Sequence, residues 1–179
     1  MGHEEEPVRS GYTLIEVLVL VVILGIAAAM IVPNMRSTDV LRVQAAVRTV
    51  VSDITVAQSD AVAYQQGRAI VFFPSDNRYV TVEVRGAQID PSLDRLWETQ
   101  FRGGEFGDSR ISGVDFAGGT TLIFDELGAP VTAPGGTTPA PTGSVTIEGG
   151  TQAFRVDVEG YTGRVTVTRL DPPPPVPGS

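Results

Sequence analysis

The stretch Gly11-Tyr12-Thr13-Leu14-Ile15-Glu16 decides the fold, because it continues without a break into an apolar run that ends at Pro33. Between Leu14 and Pro33 the only charged residue is Glu16. About 20 helical residues, at ~1.5 Å each, cover the ~30 Å hydrocarbon core of a bilayer, so this run is long enough to cross one. An unpaired carboxylate in lipid costs roughly 3 kcal/mol. Glu16 is therefore expected to have a cationic partner.

These residues resemble the N-terminal signal of type IV pilins and type II secretion pseudopilins. A polar leader ends in Gly11, an aromatic residue follows at Tyr12, and Glu16 stands at the edge of the apolar run. The resemblance implies that a prepilin peptidase cleaves after Gly11 and that the new N-terminus is methylated at Tyr12. It also implies that Glu16 pairs with the terminal amine of a neighbouring subunit as a filament assembles.

Two other interpretations of the N-terminus compete with this one. A secretory signal peptide has a basic first segment and a shorter apolar core, whereas this leader sets Glu4, Glu5 and Glu6 against Arg9. An uncleaved single-span anchor leaves Glu16 unexplained. Pilin leaders are usually basic, so an orientation with this acidic leader inside the cell follows from the resemblance and not from the positive-inside rule.

Composition limits the chemistry that the chain can perform. The formal net charge of the 179 residues is −8; removal of residues 1–11 takes away three Glu and one Arg and leaves 18 acids and 12 Arg, a net charge of −6. There is no Cys, and the single His, His3, lies in the leader. Without these residues the mature chain cannot build thiolate metal sites or the common acid–base and nucleophilic constellations. We expect no catalytic residues, no metal, no cofactor and no enzymatic activity.

The apolar pattern predicts a long helix from about Thr13 to Tyr64, kinked at Pro33. Beyond Pro33, apolar residues recur at spacings of three and four, which is the stripe of an amphipathic helix with one buried face. The stripe consists of Val40, Val43, Val47, Val50, Ile54, Ala57 and Ala61. Gly67 is the predicted stop signal.

The remainder predicts a β-rich head. Residues 69–73 and 79–84 form a predicted hairpin around a turn at 74–77, and the alternation in the second run predicts one buried and one wet face. Further strands are expected at 121–124, 145–147, 153–158 and 164–170, with a Pro- and Gly-rich loop at 132–142. Residues 85–110 are expected to be irregular, with Leu96, Trp97 and Phe101 as apolar anchors. Asp125 and Glu126 are predicted to be turn residues before Gly128. We do not expect them to form a calcium site, because calcium needs about six or more oxygen ligands.

The order of elements is similar to the GspH/FimT group of minor pseudopilins and minor pilins, as are the segments Ile123–Pro130 and Gly163–Val167. This resemblance implies an α+β, pilin-like fold, in which a long N-terminal helix, half transmembrane and half amphipathic, packs on an antiparallel β-sheet head. A major pilin or the major pseudopilin is the alternative within the family. The expected segments are a cleaved leader (1–11), a transmembrane helix segment (12–33), the amphipathic half of the same helix (34–66), the head (67–170) and a Pro-rich tail (171–179).

The resemblance implies a structural subunit of a type II secretion pseudopilus or type IV pilus, held as a single-pass protein in the bacterial inner membrane with its head in the periplasm. The implied partners are the prepilin peptidase/methyltransferase, other pilins or pseudopilins, the inner-membrane assembly platform and the lipid bilayer.

The alternative function is that of a DNA-binding minor pilin, because FimT-type pilins of this kind use a basic C-terminal motif and Gly163-Arg164 fits its start. The next arginine is Arg169, and an odd separation places two side chains on opposite faces of a strand. A net charge of −6 also gives a thin electrostatic footprint for duplex DNA. We therefore do not expect nucleic acid as the principal partner.

Overall fold

The computed structural model describes residues 12–31 and 35–170, and for residues 29–31 and 35–39 it describes the backbone alone. Gly11, the expected kink at Pro33 and the expected Pro-rich tail lie outside the described residues. The chain divides into two compact units, Met1–Ser37 and Thr38–Ser179.

The first unit contains one described helix, α1 (Leu14–Ile31, 18 residues). Its sequence is rich in Leu, Ile, Val and Ala, and Glu16 is its only charged residue. Within residues 12–31 and 35–170, no helix combines the length and the hydropathy that a membrane span requires.

A second helix, α2 (Met35–Tyr64, 30 residues), presents the predicted stripe to the core of the head. Six of the seven stripe residues are buried, and Val40 is half-buried. The helix ends at Tyr64 because Gln65 adopts a left-handed conformation (φ 49°). The Gln66 amide then donates to the Ala61 carbonyl (3.1 Å) and the Gln65 amide to the Val62 carbonyl (3.4 Å). This is a Schellman ending, so Gln65 and not Gly67 stops the helix.

Two four-stranded antiparallel sheets complete the head. The first sheet has the order β3-β2-β1-β5 and the second β4-β6-β7-β8. In chain order the strands are β1 (Arg68–Phe73), β2 (Arg78–Glu83), β3 (Arg95–Gln100), β4 (Arg110–Asp115), β5 (Thr121–Phe124), β6 (Gly143–Gly149), β7 (Gln152–Val158) and β8 (Val165–Leu170). The fold is α+β with antiparallel sheets, as the sequence predicts.

The region expected to be irregular, residues 85–110, contains β3 and the start of β4. Both strands have weak sequence signals. Strand β3 is largely exposed, and Leu96 is 41% exposed, so it is not the apolar anchor that we predicted, whereas Phe101 is buried. In β4 the register shifts between Ile111 and Gly113, which interrupts the alternation by which a strand is recognised.

The prediction that β2 has one wet face is wrong. Tyr79 and Thr81 are buried on one face, and Val80 and Val82 are buried on the other. The second face belongs to a separate apolar cluster that includes Val131, which comes from the segment after β5. Chain segments outside the sheet therefore cover the face that alternation alone marks as exposed.

The main core lies among α2 and both sheets. It contains the α2 stripe, aromatic residues of the first sheet and the inward-facing residues of β6 and β7. The Phe72 ring lies 5.4 Å from that of Tyr79 and 5.7 Å from that of Phe116, measured between centroids. Aromatic pairs at these distances stabilise a core by more than the area that they bury.

Candidate functional site

The predicted assembly residues Tyr12 and Glu16 lie at the start of α1, and both are exposed. Thr13 caps the helix: the Glu16 amide donates to Thr13 Oγ1 (3.3 Å) and to the Thr13 carbonyl oxygen (3.0 Å). A Thr followed three residues later by Glu is the capping-box pattern, and a carboxylate in the first turn also favours the positive end of the helix dipole. The two cap bonds are made by the backbone amide of Glu16, and the spacing of Thr13 and Glu16 could have indicated this helix start.

The surface of α1 is apolar on all sides. Every side chain from Leu14 to Ala28 is exposed in the single chain. The large apolar ones are between 48% and 85% exposed. A helix that is apolar all round is stable only when other apolar groups surround it.

A buried hydrogen-bonded pair attaches α2 to the first sheet. Tyr79, which is 1% exposed, donates its hydroxyl proton to Asp53 Oδ2 (2.6 Å), and the Thr99 hydroxyl donates to the same oxygen (3.1 Å). Burial raises the pKa of the Tyr79 phenol far above its ordinary value, and the hydrogen bond to Asp53 and its negative charge raise it further. Tyr79 is thus held as a neutral donor, and the bonds fix the position of α2 on β2 and β3.

Gln58 connects α2 to both sheets. Its Nε2 donates to the Gly128 carbonyl (2.8 Å) in the turn after β5 and to the Thr162 carbonyl (2.9 Å) in the turn before β8. Gly163 follows with φ 69°, and a Cβ at this position would overlap the Gln58 amide. Position 163 therefore requires glycine, both because its φ is positive and because the Gln58 amide occupies the space of a Cβ.

Asn77 joins the first hairpin to the second sheet. The residue is in the left-handed conformation (φ 53°) that ends the turn after β1. Its Nδ2 donates to the carbonyls of Phe101 (2.6 Å) and Ser109 (2.8 Å), and its Oδ1 accepts from the Ile111 amide (2.8 Å). The sequence predicts Asn77 as a turn residue, but its three long-range bonds could not be inferred from the chain alone.

The two arginines of the DNA-binding alternative have different environments. Arg164 lies in the turn before β8, where its Nε is 3.3 Å from Glu159 Oε2. Arg169 is an exposed residue of β8, opposite Phe154 of β7. Because Arg164 precedes the strand, the rule of alternating faces does not apply to this pair. DNA binding through these arginines therefore stays the alternative function and not the expected one.

Asp125 forms a turn, as predicted. Its Oδ1 accepts from the amides of Leu127 (3.0 Å) and Ala129 (2.8 Å). In the described part of the chain, no group of three or more His, Cys, Asp or Glu side chains could hold a metal ion.

The solved structures that resemble this chain include two of the minor pseudopilin EpsH from the type 2 secretion system of Vibrio cholerae. The first has a TM-score of 0.46 and 10% sequence identity, and the match covers 73% of this chain and 97% of that chain. The second has a TM-score of 0.46 and 12% identity, and covers 74% and 97%. No protein-family model and no curated protein sequence matches the chain.

Proposed function

We propose that this chain is a structural subunit, a minor pseudopilin or minor pilin, of a type II secretion pseudopilus or a type IV pilus. The observation that carries the proposal is the register of Gly11, Tyr12 and Glu16 at the edge of the apolar run that ends at Pro33. The exposed apolar surface of α1 supports it, because assembly into a filament would remove that surface from water.

In this proposal the apolar run holds the precursor in the inner membrane, with the head in the periplasm. Prepilin peptidase removes residues 1–11 and methylates the amine of Tyr12. The assembly platform then moves the subunit from the bilayer into the filament, where the same helix forms part of the core. No catalysis by the subunit itself is needed.

Glu16 would select the register between subunits. Its exposed carboxylate lies one turn from the new N-terminus, and the amine of a neighbouring copy would neutralise it in the filament core. A buried charge is costly alone, but a pair across subunits favours the one alignment in which both charges are satisfied. Misaligned helices would leave a carboxylate and an amine unpaired in an apolar surrounding.

The charge of Glu16 can be tested separately from the helix cap, because the cap bonds come from its backbone amide. Gln at this position keeps a side chain that suits the start of a helix but removes the charge. We expect Glu16→Gln and Glu16→Ala to be inserted and cleaved normally, and both to lower the amount of the subunit in sheared filaments by at least about tenfold.

Thr13→Ala is the matched control, because it removes the cap acceptor and leaves the charge of Glu16 in place. Its recovery in filaments should stay close to that of the wild type. If Glu16→Gln assembles normally while Thr13→Ala does not, Glu16 serves the helix end and the pairing role is wrong.

A further inference from the structure

The two sheets of the head have four edge strands, β3 and β5 in the first sheet and β4 and β8 in the second. An edge strand presents unpaired backbone groups to which another chain can add, and proteins normally prevent this with charges, bulges, short strands or covering segments.

Three of these edges are protected. Strand β3 carries an ion pair between Arg95 and Glu98 (2.8 Å), and β4 has a bulge between Ile111 and Gly113. Strand β5 has four residues, and its edge is covered by the following segment, in which the Val131 amide donates to the Ile123 carbonyl (2.9 Å).

Within the described residues, strand β8 is neither short, bulged nor covered by another segment, and its one charged residue is Arg169. Its sequence, Val-Thr-Val-Thr-Arg-Leu, begins with four β-branched residues, and all six residues pair with β7 without a bulge. Residues 166–169 are exposed, and in the described ranges no strand pairs with the other side of β8. The sequence that follows contains Pro172–Pro175, whose nitrogens carry no hydrogen and cannot form a ladder.

An open apolar groove of about 410 Å³ runs beside β8, between this strand and α2. Val51 and Phe154 line it and are half-buried, and Val167 of β8 is 44% exposed. Its rim is cationic: Arg48 of α2 lines the groove, and Arg169 lies on the same face of β8 as Val167. None of the residues that line the groove is acidic.

We propose that β8 and this groove bind an extended, acidic segment of a different protein chain by strand addition. Backbone hydrogen bonds to β8 would supply affinity, and every second side chain of the added strand would enter the groove and supply specificity. Apolar side chains would contact Phe154 and Val167, and carboxylates would meet Arg48 and Arg169. A second copy paired through its own β8 is disfavoured, because that strand, Val-Thr-Val-Thr-Arg-Leu, would bring no carboxylate to Arg48 or Arg169.

This inference concerns the head alone and goes beyond the proposed role in a filament. The probe is a labelled peptide of the repeat Val-Thr-Glu-Thr, which presents valine and glutamate on one face and threonine on the other. The full-length chain in detergent should bind this peptide, and amide hydrogen exchange in β8 should slow on binding. The corresponding Val-Thr-Lys-Thr peptide should not bind.

Charge-reversal variants locate the site. Arg48→Glu and Arg169→Glu should each weaken binding by at least about tenfold, because like charges would face each other in the groove. Arg102→Glu is the matched control: this arginine is also exposed, lies in the loop after β3 of the first sheet, and its reversal should leave the affinity unchanged.

Four results would overturn the proposal. They are equal binding of the lysine peptide, binding without slower exchange in β8, self-association through β8 without peptide, and binding that appears only when residues 172–179 are deleted. The last would mean that the chain's own tail occupies the groove. Circular dichroism and thermal unfolding of each variant establish that it remains folded.

Discussion

Tyr79 is buried beneath α2, and its hydroxyl group is the donor to Asp53. The fold raises the pKa of this phenol above its ordinary value of about 10, chiefly through burial. The unfolded chain therefore loses the Tyr79 proton near pH 10 while the folded chain retains it, so the stabilisation is complete below pH 10 and declines as the pH rises further.

We predict that the free energy of unfolding falls above pH 10, at up to about 1.4 kcal/mol per pH unit. Tyr79→Phe should cost about 1 kcal/mol at neutral pH, because Asp53 loses one of its two donors, and should flatten the alkaline decline. Urea denaturation over a pH series measures both effects. Tyr64→Phe, at a tyrosine that is 69% exposed, is the control. An unchanged alkaline decline in Tyr79→Phe would exclude this tyrosine as its source.

Gly163 provides a second prediction for a single residue. Ala at this position would have an unfavourable φ of 69° and would displace the Gln58 amide, which holds two carbonyls. Gly135 has nearly the same φ, 66°, but nothing within 4 Å of a Cβ. We expect Gly135→Ala to cost about 1 kcal/mol and Gly163→Ala about 2 kcal/mol more. Thermal unfolding tests this, and equal costs would show that the Gln58 bonds contribute nothing.

Few of the residues that organise the head could be identified from the sequence. The bond from Tyr79 to Asp53 joins residues 26 apart, and the bonds of Gln58 reach residues 70 and 104 positions away. No local pattern encodes such distances. The cap of α1 is different, because the Glu16 amide bonds to Thr13 only three residues before it, and this spacing can be read from the chain.

Helix α2 is the element on which the head is built, and its buried stripe was the most predictable feature. Ile54 is completely buried in the core, whereas Val56, two residues on, is 42% exposed. We expect Ile54→Ala to destabilise the head by about 2–5 kcal/mol, because it leaves a cavity. Val56→Ala should change stability by less than about 1 kcal/mol, since it loses little burial and gains helix propensity. Chemical denaturation compares the two, and similar losses would contradict the assigned face.

At the level of elements, the sequence predicts α2 and six of the eight strands, but not β3 or β4. Strands with a buried face repeat apolar residues at every second position, and this signal is strong in β6 and β7. In β3 the side chains are mostly exposed, so the signal is absent; in β4 the bulge shifts it. The second buried face of β2 was missed because its cover comes from residues distant in the chain.

The whole molecule has apolar residues in two different settings, the buried core of the head and the exposed surface of α1. The head has its own apolar core between α2 and the sheets, whereas the described side chains of α1 are exposed and, apart from Glu16, apolar. A chain with such a helix needs a further apolar surrounding, and the proposed bilayer and filament would supply it in turn. The exposed edge of β8 is a separate proposed binding site, and its proposed partner is an acidic segment of a different protein chain.

The central claim is that the mature chain begins at Tyr12, because only then does a neighbouring copy offer an amine to Glu16. Intact-mass analysis of the protein extracted from membranes tests this most directly. The predicted result is a chain that starts at Tyr12 and carries one additional methyl group, with Gly11→Val retaining residues 1–11. A wild-type chain that still contains residues 1–11 would contradict the account.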